Sequence, residues 1–214
     1  MRKMDKKKLK IAISLRLSIS SYSEKRDSIS RDWPILLEKI GMYPILIPNS
    51  ISNLDEFLEI MKPDGIILSG GENFGENPER DVTEYSLIDF SIKNNIPLLG
   101  VCRGMQILNK FFGGSITKTN NLKHVNTHHS LSISDDYFNK KEIMVNSFHK
   151  NILQKNDLSD EFYILAEDNS DLTIEAFVNK KYPLVGIMWH PEREQNSFNL
   201  MLIERILKNE FKKI

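Results

Sequence analysis

Residues 97–114 read PLLGVCRGMQILNKFFGG, and this stretch decides the fold. The apolar run before Cys102 predicts a buried strand, and the spacing after it predicts a helix with one apolar face on Met105, Leu108 and Phe112. Glycines two positions before and after Cys102 leave room for a tight turn between strand and helix. This pattern is typical of a nucleophile elbow in which sulfur replaces the usual serine oxygen.

Short apolar strands alternate with helical patterns through the first half of the chain. The predicted strands are Lys10–Ser14, Tyr43–Pro48, Gly65–Ser69 and Pro97–Val101. The predicted helices between them are Arg31–Ile40, Asn53–Met61 and Asp81–Asn94. Because strand–helix–strand units are joined by right-handed crossovers, this half predicts an α/β fold with a mainly parallel central sheet and helices on both faces.

In the second half, strands follow one another with only short polar turns between them. They are predicted at Leu131–Ser134, Glu142–Ser147, Phe162–Ala166, Thr173–Asn179 and Leu184–Trp189, before a closing helix at Ser197–Phe211. Such a run indicates antiparallel additions to the sheet or a small second sheet. Because the sequence has no repeat, low-complexity linker or visible boundary, residues 1–214 are interpreted as a single domain.

The composition disfavours several classes of function. Lys+Arg and Asp+Glu each number 29 in 214 residues, so the formal net charge is zero and we expect no binding to nucleic acid or to a membrane surface. The basic run Arg2–Lys8 is interpreted as a solvated tail. No stretch approaches the roughly 20 apolar residues of a membrane span. A single cysteine excludes an internal disulfide and suits a reducing compartment, so we expect a cytoplasmic protein.

Cys102 has the surroundings of an activated thiol. At the start of a helix, the dipole and the free backbone N–H groups favour the thiolate over the thiol. The backbone N–H of Arg103, the next residue, would face a developing oxyanion. Ligands of open parallel sheets sit at the carboxyl ends of the strands, where the Gly70-Gly71 turn also lies. We therefore expect Gly71 to supply the second oxyanion donor.

A base for the thiol is predicted near the end of the sequence. The apolar run Gly186–Trp189 continues as His190-Pro191-Glu192. Pro191 fixes the direction of the chain just past the strand, so His190 and Glu192 can lie side by side. We expect Cys102 to act as nucleophile, His190 as general base and then acid, and Glu192 as the residue that orients the imidazole.

These motifs resemble those of the class I glutamine amidotransferases. Gly100–Gln106, paired with Trp189–Glu192, is most similar to the γ-glutamyl hydrolase branch, a peptidase C26-like group that includes γ-glutamyl-γ-aminobutyrate hydrolases. Two further stretches, Asn77–Glu84 and Val145–His149, match that branch in the expected order. The resemblance implies a flavodoxin-like class I glutamine amidotransferase fold, a Cys–His–Glu triad on the three residues above and a covalent thioester intermediate.

The resemblance also implies how a glutamyl group is bound. Gln106 and the segment Ser147-Phe148 are expected to contact its α-amino and α-carboxylate groups, and His149 adjoins that segment. Gly70 is included among the expected substrate contacts because a glycine lets the backbone approach the substrate closely.

The predicted function is hydrolysis of a γ-glutamyl conjugate with release of glutamate. After Gly70-Gly71 the chain reads Glu72-Asn73, where family members often read Gly-Gly-x-Asp and carry a longer acidic loop that faces the leaving group. The leaving group therefore stays open between an amine, with γ-glutamyl-γ-aminobutyrate as the default, and a nucleotide phosphoramidate such as occurs in capsular sugar pathways. A small-molecule substrate is expected, no cofactor is expected, and self-association as a homodimer stays open.

Two other functions are alternatives. A glutaminase subunit would pass ammonia to a separate synthase, but the sequence contains no synthase domain and its motifs are those of the hydrolase branch. An inactive binding protein on the same fold is the other alternative, because fold alone does not decide function. The intact triad disfavours it.

The residues His124, His128 and His129 have no assigned role. They read His-x-x-x-His-His in a polar, Asn-rich stretch that predicts a loop. Since the only cysteine is committed to catalysis, we expect no metal site. A contribution to the polarity of the substrate pocket stays open.

Overall fold

The computed structural model describes residues 8–119, 122–138 and 141–211, so the basic tail lies outside the described residues except for Lys8. The strands are β1 (Leu9–Ser14), β2 (Arg16–Ile19), β3 (Lys25–Ser28), β4 (Met42–Ile47), β5 (Gly65–Leu68), β6 (Leu98–Val101), β7 (Thr117–Lys118), β8 (Val125–Ile133), β9 (Glu142–Phe148), β10 (Asn151–Ile152), β11 (Phe162–Asp168), β12 (Ile174–Asn179) and β13 (Leu184–Ile187). The helices are α1 (Asp32–Lys39), α2 (Leu54–Met61), α3 (Pro78–Asn94), α4 (Arg103–Phe111), α5 (Asp135–Phe138) and α6 (Ser197–Leu207), with short 3₁₀ turns at Leu122–His124 and Lys155–Asp157.

Among the described residues, nine strands form one sheet in the order β4-β1-β5-β6-β13-β12-β11-β8-β9. Neighbours from β4 to β13 run parallel, and neighbours from β13 to β9 run antiparallel. This topology confirms the predicted parallel centre with antiparallel additions in the second half. It also places the carboxyl ends of β1, β5, β6 and β13 side by side, where a ligand is expected.

Helices cover both faces of the sheet because successive residues of a strand point to opposite faces. Along β1, Ile11 and Ile13 belong to an apolar cluster with α1 and α6, whereas Ala12 belongs to a cluster with α2, α3 and α4. All three side chains are fully buried. In the described part of the chain, no helix combines the length and the apolar character needed to cross a membrane.

Helix α3 begins at Pro78, before the predicted start at Asp81. The Asn77 side chain accepts a hydrogen bond from the backbone N–H of Arg80 and caps the helix, and proline is favoured at the first helical position. Because the first turn is polar, it adds nothing to the apolar spacing from which the helix was predicted, and the predicted start therefore fell at Asp81. The earlier start places Arg80 and Glu84 one helical turn apart on the same face.

Strand β8 begins at Val125 and not at the predicted Leu131. His128 and His129 therefore lie on a strand, and His124 ends the 3₁₀ turn before it, which corrects the loop prediction for this stretch. Exposed and buried residues alternate along β8, as expected for a strand with one solvated face, but the polar side chains concealed that period in the sequence.

The hairpin formed by β2 and β3 has no counterpart in the sequence-based prediction. Its strands are mostly polar, so no apolar period marks them. The carboxylate of Asp27 ties the hairpin to the sheet, since it accepts hydrogen bonds from the Asn49 backbone N–H (2.9 Å) and side-chain amide (2.6 Å). Because the hairpin follows β1 directly, it lies at the carboxyl edge of the parallel strands.

Candidate active site

The elbow at the end of β6 has the geometry that its glycines predict. Cys102 adopts φ 50° and ψ −103°, a conformation that is strained for a residue with a side chain. Its backbone N–H donates to the carbonyl oxygen of Ile187 (2.8 Å), which anchors the elbow to β13. A Cβ on Gly100 would lie 2.5 Å from the carbonyl oxygen of Gly104, and a Cβ on Gly104 would overlap the Leu68 carbonyl. The turn therefore requires both glycines.

The structure brings the predicted Cys102, His190 and Glu192 together. Nδ1 of His190 is hydrogen-bonded to Oε1 of Glu192 (2.7 Å), and Cys102 lies within hydrogen-bond reach of the ring. All three residues are almost entirely buried. Burial opposes a charge on the imidazole, but the adjacent Cys102 thiolate and Glu192 carboxylate outweigh burial and raise the pKa of His190 to about 10. This environment favours the imidazolium form of His190.

Asn146 holds the backbone of His190 at two points. Its side-chain oxygen accepts a hydrogen bond from the His190 N–H (2.8 Å), and its side-chain NH₂ donates to the His190 carbonyl oxygen (2.9 Å). The Asn146 side chain is buried. Sequence reasoning missed this residue, although it belongs to the stretch Val145–His149, because that stretch was interpreted only as a substrate contact.

Arg80 sets the orientation of the Gly70-Gly71 turn. Its buried guanidinium donates to the carbonyl oxygens of Ser69 (2.7 Å) and Gly70 (3.2 Å). In a trans peptide the N–H points opposite to the carbonyl, so the N–H of Gly71 is directed away from Arg80. Gly71 has φ 149°, and a Cβ there would overlap the guanidinium. A Cβ on Gly70 would lie 2.6 Å from Cε1 of His190. The turn is therefore confined between an arginine and the imidazole.

A buried ion network connects this turn to the elbow. Glu84 accepts hydrogen bonds from Nε of Arg80 (2.9 Å) and from Arg103. Arg103 also donates to Asp81 (2.5 Å), and Arg80 donates to Glu72 (2.8 Å). Each charge in the network thus faces an opposite charge, which a buried charge requires. The network gives a structural role to the motif at the start of α3 and fixes the first residue of α4.

One pocket opens on the thiol beside α4 and β9, and we refer to it as the glutamyl pocket. Its lining includes Gly71, Glu72, Gln106, Phe148 and Asn151. Gln106 and Phe148 are thus placed where the sequence predicts substrate contacts. Oε1 of Gln106 accepts a hydrogen bond from the side chain of Asn151 (3.2 Å), a residue that sequence reasoning missed.

Ser147 and His149 are placed differently from these two. Ser147 is fully buried and its hydroxyl donates to the carbonyl oxygen of His124 (2.8 Å), so its side chain lies outside the pocket. His149 lines the pocket, but its ring is turned inward, with Nδ1 bonded to the carbonyl oxygen of Asn151 (2.9 Å). The alternation of side chains along a strand explains why Phe148 faces the pocket and Ser147 does not.

A second pocket opens on the thiol beside the hairpin, and we refer to it as the leaving-group pocket. Its charged and hydroxyl-bearing lining includes Arg16, Ser28, Ser30 and Arg193. The Arg193 guanidinium lies 4.1 Å from the centroid of the Phe148 ring, a cation–π contact. Both arginines are exposed, and within the described residues neither guanidinium has an acidic partner. The pocket therefore presents two unpaired positive charges.

Comparisons with known proteins agree with this geometry. The peptidase C26 family model matches residues 11–192. The chain belongs to the peptidase C26 family. A γ-glutamyl-CDP-amidate hydrolase from Campylobacter jejuni is 32% identical over 206 residues, covering 91% of this chain and 95% of the relative. A glutamine-hydrolysing GMP synthase subunit from Pyrococcus furiosus is 30% identical, covering 77% of this chain and 83% of the relative.

A solved structure shows the same fold. A glutamine amidotransferase from Thermotoga maritima superposes with a TM-score of 0.63 at 19% identity, covering 96% of this chain and 95% of that one. This likeness confirms the predicted flavodoxin-like class I glutamine amidotransferase fold. As a member of the peptidase C26 family, the chain is a cysteine-based hydrolase of C–N bonds in the γ-glutamyl hydrolase branch, as the sequence predicts.

Proposed function

We propose that this γ-glutamyl amide hydrolase of the peptidase C26 family acts on a conjugate whose leaving group carries phosphate, with Cys102, His190 and Glu192 as its triad. The observation that carries the proposal is the opening of two unlike pockets on one buried thiol. The glutamyl pocket offers amide and carboxylate groups that suit an α-amino acid. The leaving-group pocket offers two guanidinium groups, which suit an anion.

Catalysis starts from the thiolate–imidazolium pair. The Cys102 thiolate attacks the γ-carbonyl carbon, and the backbone N–H groups of Gly71 and Arg103 stabilise the oxyanion. His190 gives a proton to the leaving nitrogen as the C–N bond breaks, which leaves a thioester on Cys102. His190 then takes a proton from water, which attacks the thioester and releases glutamate. Glu192 holds the imidazole in the required orientation throughout.

The glutamyl end of the substrate would be held by buried or half-buried polar groups. The amides of Gln106 and Asn151 supply donors and an acceptor for the α-carboxylate and α-ammonium groups. Glu72 supplies a negative charge for the ammonium group. Burial raises the pKa of Glu72, but the Arg80 guanidinium and backbone hydrogen bonds outweigh burial, so its pKa lies below the usual range and the carboxylate stays ionised.

The leaving-group end would be held by Arg16 and Arg193. Guanidinium groups bind phosphate oxygens through paired N–H donors, and both guanidinium groups line the same pocket. The similarity to an enzyme named for γ-glutamyl-CDP-amidate supports a nucleotide phosphoramidate over an uncharged amine. A leaving group of this kind would place its phosphate between the two arginines.

The similarity to the GMP synthase subunit favours a second candidate, an ammonia-donating glutaminase. Ammonia is small and uncharged in its leaving form, so a donor subunit gains nothing from two unpaired arginines beside the thiol. The Gly70-Gly71 turn is also held by Arg80 of the same chain, and this supports an oxyanion hole that forms without a partner.

The test is a panel of substrates offered to the purified chain alone, with released glutamate measured for each. We expect kcat/KM for a γ-glutamyl nucleotide phosphoramidate to exceed that for glutamine at least about tenfold, which is about 1.4 kcal/mol of transition-state binding. Cys102→Ala should release no glutamate from either substrate. Glutamine as the best substrate, and only after a second protein is added, would establish the ammonia-donating function instead.

A further inference from the structure

Behind the glutamyl pocket, four buried side chains direct nitrogen and oxygen atoms toward one another: His124, His129, His149 and Glu175. We refer to them as the histidine cluster. They come from the 3₁₀ turn before β8, from β8 itself, from the residue after β9 and from β12. None of them takes part in the mechanism proposed above.

Hydrogen bonds determine which ring nitrogens carry lone pairs. Nδ1 of His149 is bonded to the carbonyl oxygen of Asn151 (2.9 Å), so it donates, and Nε2 keeps its lone pair in the neutral ring. Nε2 of His124 is bonded to the Asp171 carboxylate (2.9 Å), so Nδ1 keeps the lone pair. Both lone-pair nitrogens are buried without a hydrogen-bond partner.

The free atoms have the spacing of a tetrahedral metal site. Nε2 of His149 lies 3.5 Å from Oε1 of Glu175, and Nε2 of His129 lies 3.5 Å from Oε2 of Glu175. Zinc–ligand bonds of about 2.0–2.1 Å at the tetrahedral angle place neighbouring ligand atoms about 3.3 Å apart. Ligand atoms of His124, His149 and Glu175 lie within 4.8 Å of one another, and the approach of His129 to Glu175 places it as the fourth ligand.

The imidazole rings have a matching separation. The same bonds place the centroids of rings that share a zinc ion about 5 Å apart. The ring centroid of His124 lies 4.9 Å from that of His149 and 5.2 Å from that of His129, and the third pair is 6.4 Å apart. Moreover, the rings of His124 and His149 each make a hydrogen bond on their far side, as metal-bound histidines do, and Oδ2 of Asp168 lies 2.7 Å from Nδ1 of His129.

The local charge also calls for a cation. Among the described residues, the three carboxylates of Asp168, Asp171 and Glu175 face one ammonium group, that of Lys123, so these groups sum to −2 when the histidines are neutral. A divalent ion balances this charge in full. A proton on His129 is the competing arrangement, since its ring lies between the carboxylates of Glu175 and Asp168, but a proton balances only one charge.

We propose that His124, His129, His149 and Glu175 bind a divalent transition-metal ion of the zinc type in a closed, structural site. Four protein ligands fill a tetrahedral shell, so no position is left for water or substrate. The ion would fasten the chain segment that carries Phe148 and therefore one wall of the glutamyl pocket. This proposal departs from the sequence-based expectation of no metal, which rested on placing His124, His128 and His129 in a loop and on assigning the only cysteine to catalysis.

The first test counts metal in the full chain. The Cys102→Ala background, with any affinity tag removed, prevents the active-site thiol from holding the ion. After expression with Zn²⁺ and dialysis, elemental analysis should find about one zinc ion per chain, and His129→Gln should retain less than about a fifth of that. His128→Gln is the matched control, because the neighbouring His128 is exposed and bonded to Glu194 (2.5 Å), and it should keep the full zinc content.

A second test needs no substitution in the cluster and stays informative if His129→Gln fails to fold. Co²⁺ added to the metal-free chain should give the intense visible absorption of four-coordinate cobalt. Zn²⁺ at 100-fold its Kd should raise Tm by about 5–10 °C.

Three outcomes would overturn the proposal: a zinc-free chain whose Tm and cobalt absorption do not change, a weak six-coordinate cobalt spectrum, or equal zinc loss in His128→Gln and His129→Gln. The first of these would leave protonated His129 as the balancing charge. No readout depends on turnover, so these results are independent of the proposed function.

Discussion

The two pockets that meet at Cys102 are built in different ways. The glutamyl pocket rests on buried groups, with Gln106 only 3% exposed and Arg80 fully buried behind it. The leaving-group pocket is lined by exposed guanidinium groups on Arg16 and Arg193. Under the proposed function, the glutamyl end of a substrate would be bound by groups that the fold itself requires, and the leaving group by groups that can change at little cost to folding.

The largest effect is expected from His190→Asn, which removes chemistry that both pockets share. We expect kcat to fall by about 10⁴-fold or more for every substrate, because the general base and acid acts as one unit with the thiol. Rates of glutamate release for the nucleotide conjugate and for glutamine should fall in proportion. If His149→Ala slowed the chemical step more than His190→Asn did, the assignment of His190 as the general base would be wrong.

The next largest effect is expected from Glu84→Gln, which removes one charge from the buried ion network behind the glutamyl pocket. Removing one partner of a buried ion network should lower the free energy of unfolding by about 3–5 kcal/mol. Urea denaturation measures this, and Glu79→Gln on the same helix is the control. The Glu79 pair with Lys25 has exposed side chains (53% and 63%), so its loss should change stability by less than about 1 kcal/mol. Equal effects of the two substitutions would contradict the assigned role of the network.

A smaller and more selective effect is expected from Arg16→Gln and Arg193→Gln. Each should lower kcat/KM for a phosphate-bearing conjugate by about 10- to 100-fold, since a hydrogen bond to a charged group contributes about 1.5–3 kcal/mol. The kcat/KM for glutamine and the free energy of unfolding should stay nearly unchanged. Arg26→Gln, which removes an exposed positive charge on the same hairpin away from the pocket, is the control. Equal losses for glutamine and the conjugate would remove the distinction between the two pockets.

The smallest expected effect is a shift in the pH dependence of thioester formation. The pKa of His190 is raised to about 10, so the imidazolium that protonates the leaving group is lost only as pH rises through that value. We therefore expect the rate of thioester formation to stay level through neutral pH and to fall only on the alkaline side. Glu192→Gln removes one of the charges that raise this pKa and should move the fall to lower pH. Stopped-flow measurement of the first turnover across pH checks this, and an unmoved alkaline limb would contradict the role of Glu192.

The comparison of pockets also separates what the sequence could predict from what it could not. Cys102, His190 and Glu192 were predictable because each stands in a short motif whose spacing carries the chemistry: glycines around the thiol, and a proline between base and carboxylate. The parallel half of the sheet was predictable for a related reason, since strands buried on both faces are continuous apolar runs.

Contacts between distant segments could not be predicted from local patterns. Asn146 reaches His190 across 44 residues of sequence, and Gln106 meets Asn151 across 45. Two polar segments lack an apolar period that would predict them: the beginning of β8 and the hairpin that carries Arg16. The histidine cluster combines both difficulties, because Glu175 lies on a separate strand and His129 lies on a half-exposed one.

The hydrogen bonds from Arg80 to the carbonyl oxygens of Ser69 and Gly70 bear on how the activity of such an enzyme is regulated. The turn that supplies the proposed oxyanion donor is held by the chain's own guanidinium, so we expect the proposed oxyanion hole to form without another protein. Under that proposal, assembly with a partner would not be needed to activate the enzyme. Its output would follow the supply of conjugate, and restraint would fall on how much conjugate and how much enzyme the cell makes.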